Sequence, residues 1–302
     1  MNPILALIIA NTIWGAASPI FKFALENVPP FTLAFLRFFL AGLIFLPLAI
    51  KKWQRLSFQQ WLELFLVAFF GISLNISFYF LGLKETESIN APIIASSGPV
   101  FIYILSTMFL HEKPTLRKSI GMFIGLLGVS VIVFSPFIFG GKSLEFGAVK
   151  GNVFIFVATM GAVLQTLFGR DSLKKINPYQ ASLISFFFGS LFFIPYFLKE
   201  MNTWNFSMLN TAGAVGIFWG VFFSSAIAYT LFYYALSKIE AGDVGIFTYI
   251  DPVAAVVIAI PLLHEFPNLF YLLGSLLVFG GIYLAEGRIH WHPFHKLKIG
   301  RI

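Results

Sequence analysis

Long runs of apolar residues, interrupted by short polar stretches, follow one another along the whole chain. About 20 consecutive apolar residues cross a bilayer, and a helix satisfies its own backbone hydrogen bonds in hydrocarbon. The pattern therefore predicts an all-α membrane protein with ten transmembrane helices. Their expected bounds are Pro3–Leu25, Thr32–Ile50, Trp61–Leu83, Ile89–Leu110, Lys118–Phe134, Val149–Gly169, Pro178–Leu198, Leu209–Leu236, Ala241–Leu263 and Leu269–Ala285.

A repeat relates the two halves of the chain. When the sequence is shifted by 153 residues, Phe78–Val131 aligns with Leu231–Leu284 without a gap. Several identical pairs involve Glu, Pro, His or Gly, which apolar composition alone would not produce, so the chain is predicted to contain two copies of one unit. These pairs are Glu87 and Glu240, Pro99 and Pro252, His111 and His264, Glu112 and Glu265, Pro114 and Pro267, Gly121 and Gly274, and Gly128 and Gly281.

The odd number of helices in each unit has a topological consequence. Residues 1–140 would hold the first five helices and residues 141–287 the second five, followed by a basic cytoplasmic tail at 288–302. After five crossings the second unit starts on the opposite side of the membrane, so the two units are expected to be inverted. Inverted repeats are typical of secondary transporters, which bind their solute near the bilayer midplane between the repeats.

The distribution of basic residues predicts the orientation. With the N-terminus in the cytoplasm, the inner loops and tail carry 14 Lys and Arg residues, and the outer loops carry 4. Cytoplasmic loops of membrane proteins are enriched in these residues. We therefore expect a multi-pass protein of the cytoplasmic membrane with both termini in the cytoplasm.

Composition agrees with a lipid environment, since 58% of the residues are hydrophobic and 11% are charged. Soluble domains carry about 25% charged residues. The net charge of +7 would suggest nucleic acid in a soluble protein, but here the basic residues lie between apolar runs, so no nucleic-acid partner is expected. The chain has no Cys, which excludes disulfides and thiolate metal sites, and no cofactor or metal is predicted.

Asp251 is the foremost candidate for binding a solute amine or a proton. It lies near the middle of the ninth predicted span, where an ionisable residue costs about 2.5–3.5 kcal/mol and tends to face a cavity or a partner. The following Pro252 lacks a backbone donor, so a hinge is expected there and at the equivalent Pro99. Arg37, in the second span, could pair with Asp251, bind a substrate carboxylate or extend to the membrane surface.

Two proline-interrupted spans at equivalent positions indicate where a transporter binds its solute. In the fourth span Ser96 and Ser97 directly precede the proline-containing turn, and in the ninth span Thr248 and Tyr249 do so. These four side chains are candidates for solute binding. Hydrogen bonding between helices is the alternative role for Ser and Thr in membrane helices.

Polar and aromatic residues of other spans extend the candidate site. The first span contributes Asn11 and Trp14, and Trp14 lies deep enough to form a cavity wall rather than an interfacial anchor. Ser225 and its neighbour Ser224 could instead bond to backbone carbonyls of their own helix. The remaining candidates are Asn75 and Tyr79 in the third span, Gln165 in the sixth, and Trp219, Ser225 and Tyr229 in the eighth.

Other motifs suggest structural roles. Lys22 and Glu26 have the i, i+4 spacing of an ion pair on a helix surface. Gly121, Gly125 and Gly128 form a face of small residues, which suits helix packing or a contact in a homodimer.

The pairs His111-Glu112 and His264-Glu265 recur at the predicted membrane edges. Zinc takes three or four ligands, and the two pairs are expected on opposite sides of the membrane. Capping or hydrogen bonding at the ends of loops is therefore their expected role.

The order of these motifs resembles the EamA-type branch of the drug/metabolite transporter superfamily, over nearly the whole chain and in ten-helix, two-repeat form. The resemblance implies a carrier with a central cavity, commonly an exporter of amino acids or other small metabolites, although some members import. The residues that carry it are Trp14-Gly15, Pro30, Arg37, Gly82-Leu83, Pro99, His111-Glu112, Asp251-Pro252 and His264-Glu265.

The sequence thus predicts a secondary transporter that moves a small amphiphilic metabolite by alternating access. Export of amino acids or similar solutes is favoured, with Asp251 as the candidate for proton coupling, and the chain has no G-x-x-x-x-G-K-[ST] loop for ATP. Uptake of a vitamin or small metabolite is an alternative. A membrane-embedded enzyme acting on a lipid-linked substrate is another, which would require clustered carboxylates or His at one membrane face.

Overall fold

The computed structural model describes residues 2–101, 105, 116–139, 146–169, 175–236 and 245–286, and every regular element within these ranges is helical. Two of the segments, named π1 and π2, are π-helical. In chain order the elements are α1 (Pro3–Ala24), α2 (Pro30–Ile50), α3 (Phe58–Ala68), π1 (Phe69–Leu74), α4 (Asn75–Glu85), α5 (Asn90–Ala95), α6 (Leu116–Phe139), α7 (Phe146–Gly169), α8 (Pro178–Leu191), α9 (Ile194–Glu200), a 3₁₀ turn (Phe206–Met208), α10 (Thr211–Phe218), π2 (Trp219–Ile227), α11 (Ala228–Leu236), a 3₁₀ helix (Gly245–Tyr249), α12 (Ile250–Leu263) and α13 (Leu269–Glu286).

Short polar residues between the apolar runs start several of these helices. The side chains of Asn2, Asn177 and Asn210 each accept a hydrogen bond from a backbone N–H in the first turn of α1, α8 and α10. Ser57 and Gln60 form a reciprocal capping box at the start of α3. Such caps satisfy backbone donors that have no partner within the helix.

Among the described residues, five helical segments are long and apolar enough to cross a membrane, and the bent pair α8 and α9, with a 51° bend, would be a sixth. Shorter apolar helices lie in the fifth, ninth and tenth predicted spans. The fourth predicted span, Ile89–Leu110, is described only up to residue 101 and at residue 105. The chain is therefore a multi-pass helical membrane protein. The five segments are Pro3–Ala24, Pro30–Ile50, Phe58–Glu85, Ala148–Gly169 and Thr211–Phe232.

Corresponding elements of the two predicted units start at matching positions. Helices α3 and α10 begin 153 residues apart, as do α6 and α13, and π1 shifted by the same amount falls within π2. The contacts are also reciprocal: α2 packs on its counterpart α8, α6 packs on its counterpart α13, and α1 packs on α11 as α7 packs on α4. Contacts of this kind are expected when a two-fold axis relates two similar units. They support the prediction of two inverted repeats.

Glycines allow α6 and α13 to approach closely. A Cβ added at Gly128 would lie 2.6 Å from the carbonyl oxygen of Gly274, and one added at Gly281 would lie 2.5 Å from that of Gly121. These contacts run in opposite directions along the two helices, so α6 and α13 are antiparallel. The predicted packing role of the glycine face is therefore fulfilled within the chain, and the face is not free for a dimer contact.

Both proline-containing spans are interrupted by a change of helical structure. Helix α5 ends at Ala95, and the chain forms a turn at Ser96 and Ser97 before it becomes helical again at residue 98. In the ninth span, the 3₁₀ helix gives way to α12 at Ile250. Pro252 thus lies in the first turn of α12, where its missing N–H costs no helical hydrogen bond. The interruption is a 3₁₀-to-α junction rather than a kink within one continuous helix.

Two adjacent glycines of α13 provide a matched test of this packing. Gly281→Ala should destabilise the protein by about 1–3 kcal/mol, because the new methyl group would overlap with the backbone of α6. Gly280→Ala should leave stability unchanged or raise it by up to about 1 kcal/mol, since no atom lies within 4 Å of the added Cβ and Ala favours the helix. Thermal unfolding in detergent measures both variants, and equal effects would contradict the packing of α6 on α13.

Candidate functional site

Arg37 is buried in α2, where its guanidinium group must replace the hydrogen bonds of water. Its Nε donates to Ser225 Oγ at 3.0 Å and its Nη2 donates to Ser224 Oγ at 2.9 Å. The guanidinium carbon lies 4.9 Å from the ring centre of Phe21 and 4.6 Å from that of Phe38. These aromatic faces stabilise the positive charge. Arg37 therefore does not extend to the membrane surface.

Arg37 also has no carboxylate partner among the residues that the structure describes. The ion pairs found there are Lys22–Glu265 and Lys150–Glu85. The sequence left open an ion pair between Arg37 and Asp251, and the structure does not form it. Arg37 thus neither pairs with Asp251 nor extends to the membrane surface. The third expected role, binding a substrate carboxylate, is compatible with its geometry.

The π2 segment brings two consecutive serines to the same guanidinium group. A π-helix is wider than an α-helix and often occurs at functional sites. A Cβ at Gly220, within π2, would lie 3.1 Å from Arg37 Cγ, so the absence of a side chain allows the two helices to approach. Trp14 Nε1 donates to the carbonyl oxygen of Ser224 at 3.0 Å, which ties α1 to the same segment. Local helix geometry thus positions these polar groups together.

An aromatic wall adjoins Arg37. The Trp14 ring lies 5.4 Å from Tyr229 and 5.2 Å from Phe232, and Tyr229 lies 5.3 Å from Phe186. Trp14 and Tyr229 are only partly buried. Both residues were predicted from the sequence as cavity-lining, and the structure brings them together with Arg37 and Ser225.

Asp251 lies in the first turn of α12, where the helix dipole favours a carboxylate. Its backbone packs directly on α1, since a Cβ added at Gly15 would lie 2.7 Å from Asp251 Cα and 2.8 Å from Ala254 Cβ. Its Oδ1 atom is buried and has no hydrogen-bond partner among the described residues. A buried acceptor without a donor is costly, so this oxygen is available to a donor group of a solute or to a proton.

Tyr79 connects the two charged residues. It lies within electrostatic range of both Arg37 and Asp251, and it interacts with the side chain of Ser18. Ser18 is buried on α1, three residues beyond Gly15, and so continues the surface that meets α12. The site therefore comprises Arg37, Asp251 and Tyr79, which lies near both. The candidate site, as we use the term below, comprises these three residues with Trp14, Ser18, Ser224, Ser225 and Tyr229.

Other predicted site residues make contacts that explain them structurally. Asn75 Nδ2 donates to the carbonyl oxygen of Ala158 at 2.6 Å, which joins α4 to α7. Gln165 packs against the backbone of π1 at Gly71. Asn11 is fully buried, and its Nδ2 donates to the carbonyl oxygen of Leu7 in its own helix. Its Oδ1 is buried and has no hydrogen-bond partner among the described residues.

Ser96 and Ser97 donate to carbonyl oxygens of α5, at 2.8 and 2.6 Å. These bonds satisfy both hydroxyl groups where the helix is interrupted, as is common for Ser in membrane helices. In the other unit, Tyr249 packs edge-on against Phe279 at 5.5 Å, and Thr248 lies in the preceding 3₁₀ helix. Trp219 stacks on Phe223 at 4.8 Å. None of the contacts named here involves Arg37.

The sequence does not reveal three contacts, two in the candidate site and one at the membrane edge. Ser224 was expected to bond to backbone, but its hydroxyl accepts from Arg37. Gly15 was noted only as part of a motif, although it allows Asp251 to approach α1. Lys22 was predicted to pair with Glu26, which is wrong, because its Nζ lies 2.7 Å from Glu265 Oε1. His111-Glu112 falls outside the described residues, whereas Glu265 makes the hydrogen bonds expected of a loop-end cap.

A separate groove of about 400 Å³ lies on the outer surface, between α2 and the α10–π2 segment. None of the candidate-site residues lines this groove. Its walls are formed by the apolar side chains of Leu40, Leu43, Ile44, Leu209, Ala214, Ile217, Phe218, Val221 and Phe222.

Comparison with known proteins identifies the class to which this architecture belongs, membrane transporters. The chain is 30% identical over 285 residues to one uncharacterized transporter of Archaeoglobus fulgidus, covering 94% of this chain and 99% of that one. A second from the same organism is 29% identical over 299 residues, covering 96% and 100%. The uncharacterized transporter YetK of Bacillus subtilis is 29% identical over 288 residues, covering 94% and 87%.

The chain belongs to the EamA-like transporter family, whose model matches residues 1–134 and 149–286. A solved structure described as "Crystal structure of protein" has the same fold, with a TM-score of 0.65 and 18% identity over 94% of this chain and 95% of that one. The resemblance inferred from the sequence motifs is thereby confirmed, and the protein is a membrane transporter.

The hydrogen bonds of Arg37 predict a specific loss of stability. Ser225→Ala should destabilise the protein by about 1–3 kcal/mol, because it leaves the buried Nε–H without an acceptor. Ser130→Ala is the control, since that hydroxyl donates only to Leu126 of its own helix at an exposed position, and it should change stability by less than about 0.5 kcal/mol. The thermal unfolding midpoints of the two variants in detergent measure this difference. Similar midpoints would contradict the role of Ser225 as the acceptor for Arg37.

Proposed function

We propose that this transporter moves a small amphiphilic metabolite across the cytoplasmic membrane by alternating access, with both termini in the cytoplasm. Amino acids and related metabolites are the favoured solutes, and export is the favoured direction. The observation that carries the proposal is a basic and an acidic side chain, Arg37 and Asp251, that both lie near Tyr79 and do not pair with each other.

The two charges match the two ends of an amino acid. Arg37 has no carboxylate partner in the described part of the chain, and a guanidinium group suits the bidentate geometry of a carboxylate. Asp251 Oδ1 has no donor among the described residues and would accept from a solute ammonium group. The partly buried rings of Trp14 and Tyr229 offer apolar surface for the remainder of such a solute. The site is therefore complementary to a molecule that is charged at one end or both and apolar elsewhere.

The reciprocal contacts of the two units support alternating access. In transporters with inverted repeats, the two units exchange conformations around a central site. The two stretches that match the family model correspond to the proposed repeats. The interruptions at Ser96-Ser97 and at Tyr249-Ile250 occur at equivalent positions and supply places where the helices could bend.

If Arg37 binds a solute carboxylate, solutes with a carboxylate should compete best for the site. In liposomes, counterflow of radiolabelled amino acids should be inhibited by unlabelled amino acids roughly ten- to hundredfold better than by their amides, because the charge-assisted bond to Arg37 is lost. In Arg37→Met this difference should disappear. Equal inhibition by acids and amides in the unmodified protein would refute carboxylate binding, and no counterflow of any solute would refute the proposed function itself.

The carboxyl group of Asp251 is the proposed carrier of the proton that couples transport to a proton gradient. Asp251→Asn should abolish accumulation driven by a proton gradient while solute counterflow at equal pH persists, since the amide retains hydrogen bonding but cannot carry a proton. Glu85→Gln, which changes an exposed carboxylate, is the control and should transport normally. Full gradient-driven accumulation by Asp251→Asn would remove Asp251 from the coupling mechanism.

A further inference from the structure

A buried carboxylate lies at the membrane edge where α1, α4 and α12 end. Glu265 is 9% exposed, and its Oε1 accepts from Lys22 Nζ at 2.7 Å. Its Oε2 accepts from the backbone N–H of Ser88 at 2.7 Å, from Ser88 Oγ at 2.6 Å and from the N–H of Ile89 at 3.3 Å. Glu265 therefore holds the chain just before α5 with three hydrogen bonds and is joined to α1 by an ion pair with Lys22.

Neighbouring polar groups extend this arrangement. Lys22 Nζ also donates to the carbonyl oxygen of Thr86 at 2.6 Å. The hydroxyl of Thr86 donates to Asn152 Oδ1 at 2.7 Å, and Asn90 Nδ2 lies 3.1 and 3.2 Å from these two oxygens. Asn152 Nδ2 donates to the carbonyl oxygen of Ile132 at 3.0 Å, and this bond connects the arrangement to α6. We call Lys22, Thr86, Ser88, Asn90, Asn152 and Glu265 the polar cluster.

The polar cluster joins the two proposed repeats to each other. Lys22, Thr86, Ser88 and Asn90 belong to the first unit, whereas Asn152 and Glu265 belong to the second. The candidate site lies deeper on the same helices, since Ser18 is one turn before Lys22 on α1. Along α1, the cluster therefore lies between this membrane edge and the candidate site.

The backbone turns sharply at the end of α12, directly before Glu265. His264 has φ 55°, and it is the only non-glycine residue with a positive φ among those described. Side-chain-bearing residues rarely adopt this conformation, and such strain often occurs where function requires it. The left-handed turn ends α12 and brings the next residue, Glu265, to Ser88.

We propose that the polar cluster is a latch that closes this face of the transporter, and that opening on this side requires Glu265 to release Ser88 and Lys22. The proposal rests on alternating access, because only then must the two units separate here. When the latch opens, water at the membrane edge can satisfy the released polar groups. Such a contact can therefore be strong when closed and still break during each cycle.

The chain has no cysteine, so a single introduced thiol can report access to the site. Ser18→Cys places that thiol one helical turn below Lys22, at a position that is 2% exposed. A membrane-impermeant maleimide is applied to sealed vesicles of each orientation. From the latch face, labelling should be slow in Ser18→Cys alone and about tenfold faster or more when Glu265→Gln or Lys22→Met is added, because charge-assisted bonds are lost.

The pair Lys150–Glu85 provides the matched control. It lies at the same membrane edge, but its nitrogen–oxygen distance is 3.3 Å and its side chains are 55% and 38% exposed. Glu85→Gln should therefore leave the labelling rate unchanged. Ser88→Ala is a milder variant that removes only one hydroxyl bond, and it should give a smaller increase. Thermal unfolding of each variant in detergent verifies that the protein remains folded.

Unchanged labelling in both Glu265→Gln and Ser88→Ala would overturn the latch, as would equal acceleration from both faces, which indicates general loosening. If Glu265→Gln does not fold, Ser88→Ala and Lys22→Met decide the question. Labelling requires no solute. A failure of the proposed function, seen as absent counterflow, is therefore distinguishable from a failure of the latch.

Discussion

Hydrocarbon offers no hydrogen bond to a backbone N–H or carbonyl group, so any interruption of a membrane helix must be enclosed by neighbouring helices. This constraint explains where the chain places its irregular backbone. The π2 segment is covered by α1 and α2, and its carbonyl at Ser224 receives the indole N–H of Trp14. The 3₁₀-to-α junction before Asp251 is covered by α1 at Gly15. The polar groups of these two irregular segments thus lie where the segments pack against neighbouring helices.

Close helix contact and central polarity depend on each other. Glycines at positions 15 and 220 let helix backbones approach, and the same approach encloses Asp251 and Arg37. A buried guanidinium without a carboxylate would be costly, but two serine hydroxyls and two aromatic faces offset much of that cost. The arrangement leaves the charge in place without neutralising it. The proposed binding of a solute carboxylate requires this condition, because a resident carboxylate would compete with the solute.

The long spans that the structure describes were predictable because bilayer thickness sets the length of the apolar runs. The second predicted span, Thr32–Ile50, differs by only two residues from α2, and the tenth begins at Leu269 as predicted. The π segments were not predictable, since one extra residue per turn has no signature in composition or periodicity. The polar partners were also hidden: Glu265 bonds to Lys22, 243 residues away, and Arg37 to serines more than 180 residues away. The i, i+4 spacing in the sequence instead suggested Glu26 as the ion-pair partner of Lys22.

Helix α12 connects the proposed solute site and the proposed latch. Asp251 lies in its first turn and Glu265 lies just beyond its end, so a segment of about 20 Å joins the two. Helix α1 runs parallel beside it, with Gly15 against Asp251 and Lys22 against Glu265. A packed helix pair moves as a unit more readily than it deforms, because protein interiors are close-packed. A solute or proton that repositions Asp251 would therefore shift Glu265 as well, and this link would relate occupancy of the site to closure at the membrane edge.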